Sequence, residues 1–128
     1  MIKFRAWNKK SKIYLYDVQC AYDTLSGFVK YEDGENAEYD ESCFGDFLDN
    51  ERYAVEQFTG LKDVNGKDIY EGDILENRKY RSIVKFASGK FLADLIETIQ
   101  TFDLIGETHG SKVIGNVHEN PELLEVDK

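Results

Sequence analysis

Thr59-Gly60-Leu61-Lys62-Asp63-Val64-Asn65-Gly66-Lys67-Asp68-Ile69-Tyr70-Glu71-Gly72-Asp73-Ile74-Leu75 is the most heavily punctuated stretch of the chain. Asn65-Gly66 is its strongest short-range turn signal, because both residues accept the positive φ that a tight hairpin turn demands. Gly72-Asp73 stands just before the apolar pair Ile74 and Leu75. A glycine there permits the sharp bend by which a barrel corner feeds its next strand.

Downstream, Tyr80-Arg81-Ser82-Ile83-Val84-Lys85-Phe86 reads as a strand. Ala87-Ser88-Gly89-Lys90 makes a tight connection, and Phe91-Leu92-Ala93-Asp94-Leu95 returns. Leu95-Ile96-Glu97-Thr98-Ile99 either prolongs that strand or forms a short insertion. Phe102-Asp103-Leu104-Ile105 is a further apolar patch, residues 106–110 form a loop, and Lys112-Val113-Ile114-Gly115-Asn116-Val117-His118 is the last strand. Pro121 suits the first position of a closing helical turn.

Upstream, Tyr53-Ala54-Val55-Glu56-Gln57-Phe58 has strand character. Ile2-Lys3-Phe4-Arg5-Ala6-Trp7 alternates apolar and polar, Asn8-Lys9-Lys10-Ser11 is turn-like, and Lys12-Ile13-Tyr14-Leu15-Tyr16-Asp17-Val18 returns, which predicts an opening hairpin. Leu25-Ser26-Gly27-Phe28-Val29-Lys30-Tyr31 reads as a short strand. Phe44, Phe47 and Leu48 follow i, i+3, i+4 spacing and predict a short helix, with Ser42 as its cap. Short strands joined by Gly and Asn turns predict a mainly β fold, α+β at most, built as a small antiparallel barrel or sandwich with one or two short helices. The expected division is residues 1–56, hairpin and acidic region, and residues 57–128, barrel and final helical turn, packed as one compact unit.

The chain has 128 residues, 41% hydrophobic and 32% charged, with a net charge of -9. That balance excludes a disordered chain and disfavours a nucleic acid as main partner, because phosphate contacts need Lys and Arg. Anchoring on an anionic membrane is disfavoured for the same reason. The charge is segregated. Lys3, Arg5, Lys9, Lys10 and Lys12 open the chain, whereas residues 32–51 carry acids with no Lys or Arg. Cys20 and Cys43 lack a metal-ligand spacing, and residues 1–12 lack the apolar run of a signal peptide. The expectation is a cytoplasmic protein with free thiols and no cofactor or metal.

Tyr70, Glu71 and Asp73 are the candidate binding edge at the Gly72 corner. Asp63-Val64-Asn65-Gly66 superficially suggests a calcium loop, but it lacks the third alternating ligand and brings its glycine too early. His109 and His118 are the only histidines and neither sits at metal-ligating spacing from the other. Trp7, Lys9 and Lys10, with Phe4, Tyr14 and Tyr16, interleave aromatics and bases as single-strand nucleic-acid binders do. Cross-strand aromatic packing under a solvated basic turn accounts for the same residues.

Three segments resemble the YopX family: Ile2-Lys3-Phe4-Arg5-Ala6-Trp7 extended to Tyr14, Gln57-Phe58-Thr59-Gly60-Leu61-Lys62-Asp63 continuing to Ile74, and Val113-Ile114-Gly115-Asn116-Val117-His118-Glu119-Asn120-Pro121-Glu122-Leu123-Leu124. They occur in the family's order. The resemblance implies a phage or prophage protein whose C-terminal part is an SH3-like barrel, and it transfers no catalytic residue. Four functions compete on these grounds. The first is a non-catalytic module that binds a host or phage protein or forms a homo-oligomer. The others are an acidic DNA mimic, direct nucleic-acid binding through the basic hairpin, and a metal-dependent hydrolase.

Overall fold

The computed structural model describes residues 2–23 and 27–125. The chain divides into two compact units, Met1–Gln57 and Phe58–Lys128. It is mainly β, with two antiparallel sheets, one ordered β2 (Ile13–Tyr16), β1 (Phe4–Asn8), β3 (Tyr53–Lys62), β4 (Asp68–Tyr70) and one ordered β8 (Thr101–Asp103), β7 (Lys90–Leu95), β6 (Arg81–Ala87), β5 (Asp73–Glu76), β9 (Lys112–Asn116).

In the first unit, β1 (Phe4–Asn8) pairs with β2 (Ile13–Tyr16), and Trp7 lies opposite Tyr14. Asn8 closes the hairpin, its Oδ1 accepting from the N–H groups of Lys10 at 3.0 Å and Ser11 at 3.2 Å. The return strand is shorter than expected. Asp17 adopts φ 61, which ends the extended run, so Val18 starts a 3-10 turn (Val18–Cys20) and is buried there. Of the strand expected over residues 25–31, Leu25 and Ser26 lie outside the described residues. In the remainder only Lys30 forms bridges, to Tyr16 and Asn36.

The predicted helix is α1 (Phe44–Asp49), but its cap is Cys43 rather than Ser42, and no side-chain cap bond forms. Instead Asp46 reaches back, its Oδ2 accepting from the Ser42 N–H at 3.0 Å, which satisfies a donor at the helix entrance. β3 (Tyr53–Lys62) pairs with β1 over residues 53–57. Ala6, Leu15, Val18, Val29, Phe47 and Tyr53 form this unit's core.

β3 runs four residues past the expected end, and in the second unit Phe58 and Lys62 pair with Tyr70 and Asp68 of β4 (Asp68–Tyr70). The register shifts between those pairs, at Gly60 with φ 83, a bulge that only glycine accepts without strain. β5 (Asp73–Glu76), β6 (Arg81–Ala87), β7 (Lys90–Leu95), β8 (Thr101–Asp103) and β9 (Lys112–Asn116) form a sheet curled into a half-barrel. Ser88 and Gly89 join β6 to β7 with φ 54 and φ 81, the two positive values of a type I′ turn. β7 ends at Leu95, so residues 96–99 are an insertion and not a continued strand. The closing turn (Pro121–Leu124) is 3-10, with Pro121 at its start. Ile69, Leu75, Val84, Ala93 and Leu104 make the core. Among the described residues no helix is long and apolar enough to cross a membrane.

Candidate functional site

The central turn is organised by Asp63. Its Oδ1 accepts from the N–H groups of Asn65 at 2.8 Å and Lys67 at 2.9 Å, and its Oδ2 accepts from the Val113 N–H of β9 at 2.9 Å. A calcium ligand offers lone pairs to a cation, whereas these two oxygens already face backbone donors. Burial pushes the Asp63 carboxyl up. The bonds from Val113, Lys67 and Asn65, with the Lys67 charge, outweigh burial and hold it below its ordinary value. A carboxyl depressed by folding stabilises fully above its unfolded pKa, and that stabilisation is lost as pH falls through the lower folded value. Asp63→Asn is therefore expected to flatten the acid limb of the stability profile. It also costs about 1–3 kcal/mol at neutral pH, because the amide NH2 cannot accept from Val113. Urea midpoints across acid pH, wild type against variant, check both parts. An unchanged acid limb would mean that this carboxyl does not govern it.

Tyr70, Glu71 and Asp73 are brought together at the next corner. Asp73 is 2% exposed, and its Oδ2 accepts from the Tyr70 N–H at 2.8 Å. Tyr70 is also buried, with its ring 5.5 Å from Phe58, and Glu71 is half-buried. Gly72, at φ 84, donates to the Val84 carbonyl and accepts from the Val117 N–H, both at 2.9 Å. The corner is thus clamped to β6 and to the end of β9. That end is itself a hydrogen-bonded knot. Asn116 Oδ1 accepts from the N–H groups of His118 at 3.1 Å and Glu119 at 2.9 Å, while Asn120 Oδ1 accepts from Asn116 N–H at 3.2 Å. A Cβ on Gly115 would lie 2.5 Å from that same Asn120 oxygen, so any larger residue there would have to push the Asn120 side chain aside. His118 contributes its backbone here, and among the described residues no cluster of His, Cys, Asp and Glu could hold a metal ion.

Trp7, Lys9 and Lys10 belong to the first unit. Trp7 is 7% exposed with its ring 4.9 Å from Tyr14, while Lys9 and Lys10 are exposed on the hairpin turn. The structure thus separates Trp7 and Tyr14 from Lys9 and Lys10. Neither Trp7 nor Tyr14 presents a face on which a base could stack. The acids of residues 32–51 are placed partly together. Asp40, Glu41, Asp46, Asp49 and Glu51 line one shallow depression around α1. Glu41 is buried and accepts from the Tyr53 hydroxyl, and burial followed by this bond pushes the Tyr53 phenol up to about 12.

Sequence reasoning missed an aromatic group on the second sheet. Val84 lies opposite Ala93, Phe86 opposite Phe91, and Ala93 opposite Phe102, so these residues share one face. That face is buried at Val84 and Ala93 but opens toward Phe86 and Phe102, which are 50% and 38% exposed. The Phe86 and Phe91 rings meet edge-on at 4.9 Å. Ile99 and Ile105, flanking the terminal strand β8, are also exposed. The opposite face is polar, with Lys85–Asp94 and Lys90–Asp103 ion pairs at 2.8 Å. The available signal was Phe86 and Phe91 bracketing a two-residue turn, which puts them side by side.

The chain is similar to the protein in the crystal structure of protein EF1440 from Enterococcus faecalis. The identity is 31%, the TM-score is 0.62, and the match covers 98% of this chain and 99% of that one. No curated protein matches. The family model described as YopX protein matches residues 3–125, taking in the Asp63 turn, the Gly72 corner and the Asn116 knot. With that match over nearly its whole length, the chain belongs to the YopX family.

Proposed function

We propose that this chain is a non-catalytic, cytoplasmic accessory protein of phage or prophage origin that acts by binding a protein, with a small barrel of the SH3 type in residues 57–128. The observation that carries the reading is the set of exposed aromatics on one face of the second sheet, the Phe86–Phe91 pair at the β6–β7 turn and Phe102, stacked on Tyr80, on the exposed strand β8. Large exposed apolar groups on one sheet face mark protein contacts, and a terminal strand offers unpaired backbone groups to an incoming strand. On the opposite face of this sheet Lys85 and Lys90 are neutralised by Asp94 and Asp103, so they offer little charge to phosphates, which favours a protein over a nucleic acid. The buried carboxylates of Asp63, Asp73, Glu41 and Glu56 are each engaged by backbone, tyrosine or arginine donors, which supports a structural use of these groups.

A second reading, the acidic DNA mimic, rests on the ordered carboxylates around α1. One experiment separates the two. Tagged wild type and a Phe86→Ser/Phe102→Ser variant are used to capture proteins from nuclease-treated host lysate against an acidic control, alongside light scattering of the pure proteins. A dominant partner, or self-association, lost in the variant is the expected result. Equal capture by both, or none beyond the control, overturns the aromatic site. Capture that survives in the variant but is displaced by DNA and by salt moves the mimic forward.

A further inference from the structure

We infer that Asn65 is a site of spontaneous deamidation whose rate is gated by Asp63. Asn65-Gly66 is the sole Asn-Gly pair of the sequence and lies exposed in the connection between β3 and β4. The chemistry needs only water. The Gly66 backbone nitrogen, having given up its proton to solvent base, attacks Cγ of Asn65. A C–N bond forms, the Cγ–Nδ2 bond breaks, and ammonia leaves with a proton from solvent, giving a five-membered succinimide. Water opens the ring at either carbonyl to aspartate or isoaspartate. Glycine as the following residue is the most favourable case, because no Cβ hinders ring closure.

The folded turn opposes each requirement of that attack. Gly66 N–H donates to the Asp63 carbonyl at 3.0 Å, so the attacking nitrogen is held with its proton engaged. The peptides on either side are pinned by Asp63 Oδ1, through the N–H groups of Asn65 and Lys67. Asp63 in turn is anchored to β9 through Val113, and the Val64 N–H donates to the Ser111 carbonyl at 3.2 Å. Ring closure therefore waits for local opening, and the native rate is the open-state rate scaled by the open fraction. The product matters structurally. Isoaspartate adds a methylene to the backbone between the paired residues Lys62 and Asp68, and either product adds a negative charge beside Asp63. Modification at this one position therefore loosens the tie between the central hairpin and β9.

The test is peptide mapping by mass spectrometry of the full chain aged at mildly alkaline pH, native and in denaturant, with amide hydrogen exchange of Gly66 measured in parallel. Residue 65 is expected to deamidate at least about tenfold more slowly in the native chain, by the same factor that protects the Gly66 amide. Asp63→Ala is expected to bring the native rate toward the denatured one. The comparison of the two protection factors needs no variant, so a poorly folding Asp63→Ala leaves the idea testable. Native and denatured chains modified at equal rates, mismatched protection factors, or an unmodified denatured chain would each overturn it. The Asp33-Gly34 pair isomerises without change of mass, so the mass gain at residue 65 is unambiguous.

Discussion

Phe47→Ala will lower unfolding stability by about 3–5 kcal/mol, the range for deleting a fully buried phenylalanine. Phe47 is 0% exposed, with its ring 4.8 Å from Tyr53 and 5.8 Å from Tyr39. The consequence is also local. α1 spans six residues, far too few to hold helical structure without tertiary contacts. Its cap lacks a side-chain bond, and Asp49 in its last turn opposes the helix dipole. The helix therefore persists because Phe47 anchors it, and the acidic depression persists with the helix. Urea unfolding gives the magnitude. Hydrogen exchange read residue by residue should show α1 amides losing protection while β6 and β7 amides keep theirs. Leu48→Ala is the control. Leu48 is 55% exposed, and its loss should stay within about 0.5 kcal/mol. A Phe47→Ala effect as small as the control's would mean that α1 is held by something else.

The contrast between Phe47 and Leu48 also shows what was legible. Helical spacing groups Phe44, Phe47 and Leu48 on one side of a helix, and a helix forms there. Spacing alone does not rank burial: Phe47 is fully buried, Phe44 packs half-buried against the same core, and Leu48 faces solvent. Turns were legible where residue type and backbone angle are tied together, as at Ser88-Gly89 and at Gly66, although Asn65 itself lacks the positive φ of a two-residue hairpin turn. Strand ends were not. Thr59-Gly60 reads as punctuation, yet β3 continues through it, because Thr59 Oγ1 donates to the Ile69 carbonyl at 2.7 Å and accepts from Leu61 N–H at 3.2 Å across the bulge. Tyr70 and Asp73 drew attention for their chemistry, but burial depends on long-range packing that residue type does not encode. The Phe86, Phe91 and Phe102 group depends on the lateral order of β6, β7 and β8. Local alternation is silent about that order.

The same limit applies to Arg5. As a residue in a basic, aromatic hairpin it suggests a phosphate contact. In the fold it lies opposite Glu56, and its Nε donates to Glu56 Oε1 at 2.8 Å with side chains only 5% and 10% exposed. The Tyr14 hydroxyl donates to the same oxygen at 2.9 Å, and the guanidinium carbon sits 4.3 Å over the Tyr14 ring. Removing one member of a buried ion pair strands the other charge, at a cost of about 3–5 kcal/mol, so Glu56→Leu should rank with Phe47→Ala. The double variant Arg5→Met/Glu56→Leu should recover much of that loss, since no charge is then left buried. What it retains is the lost bond from the Tyr14 hydroxyl to the Glu56 carboxylate, about 1.5–3 kcal/mol. A double-mutant cycle of urea unfolding measures the coupling directly. A double variant as unstable as the sum of the singles would show the two charges acting independently. A coupling of several kcal/mol would assign Arg5 to holding β1 against β3, and leave the exposed Lys9 and Lys10 as the hairpin's free positive charge toward a partner.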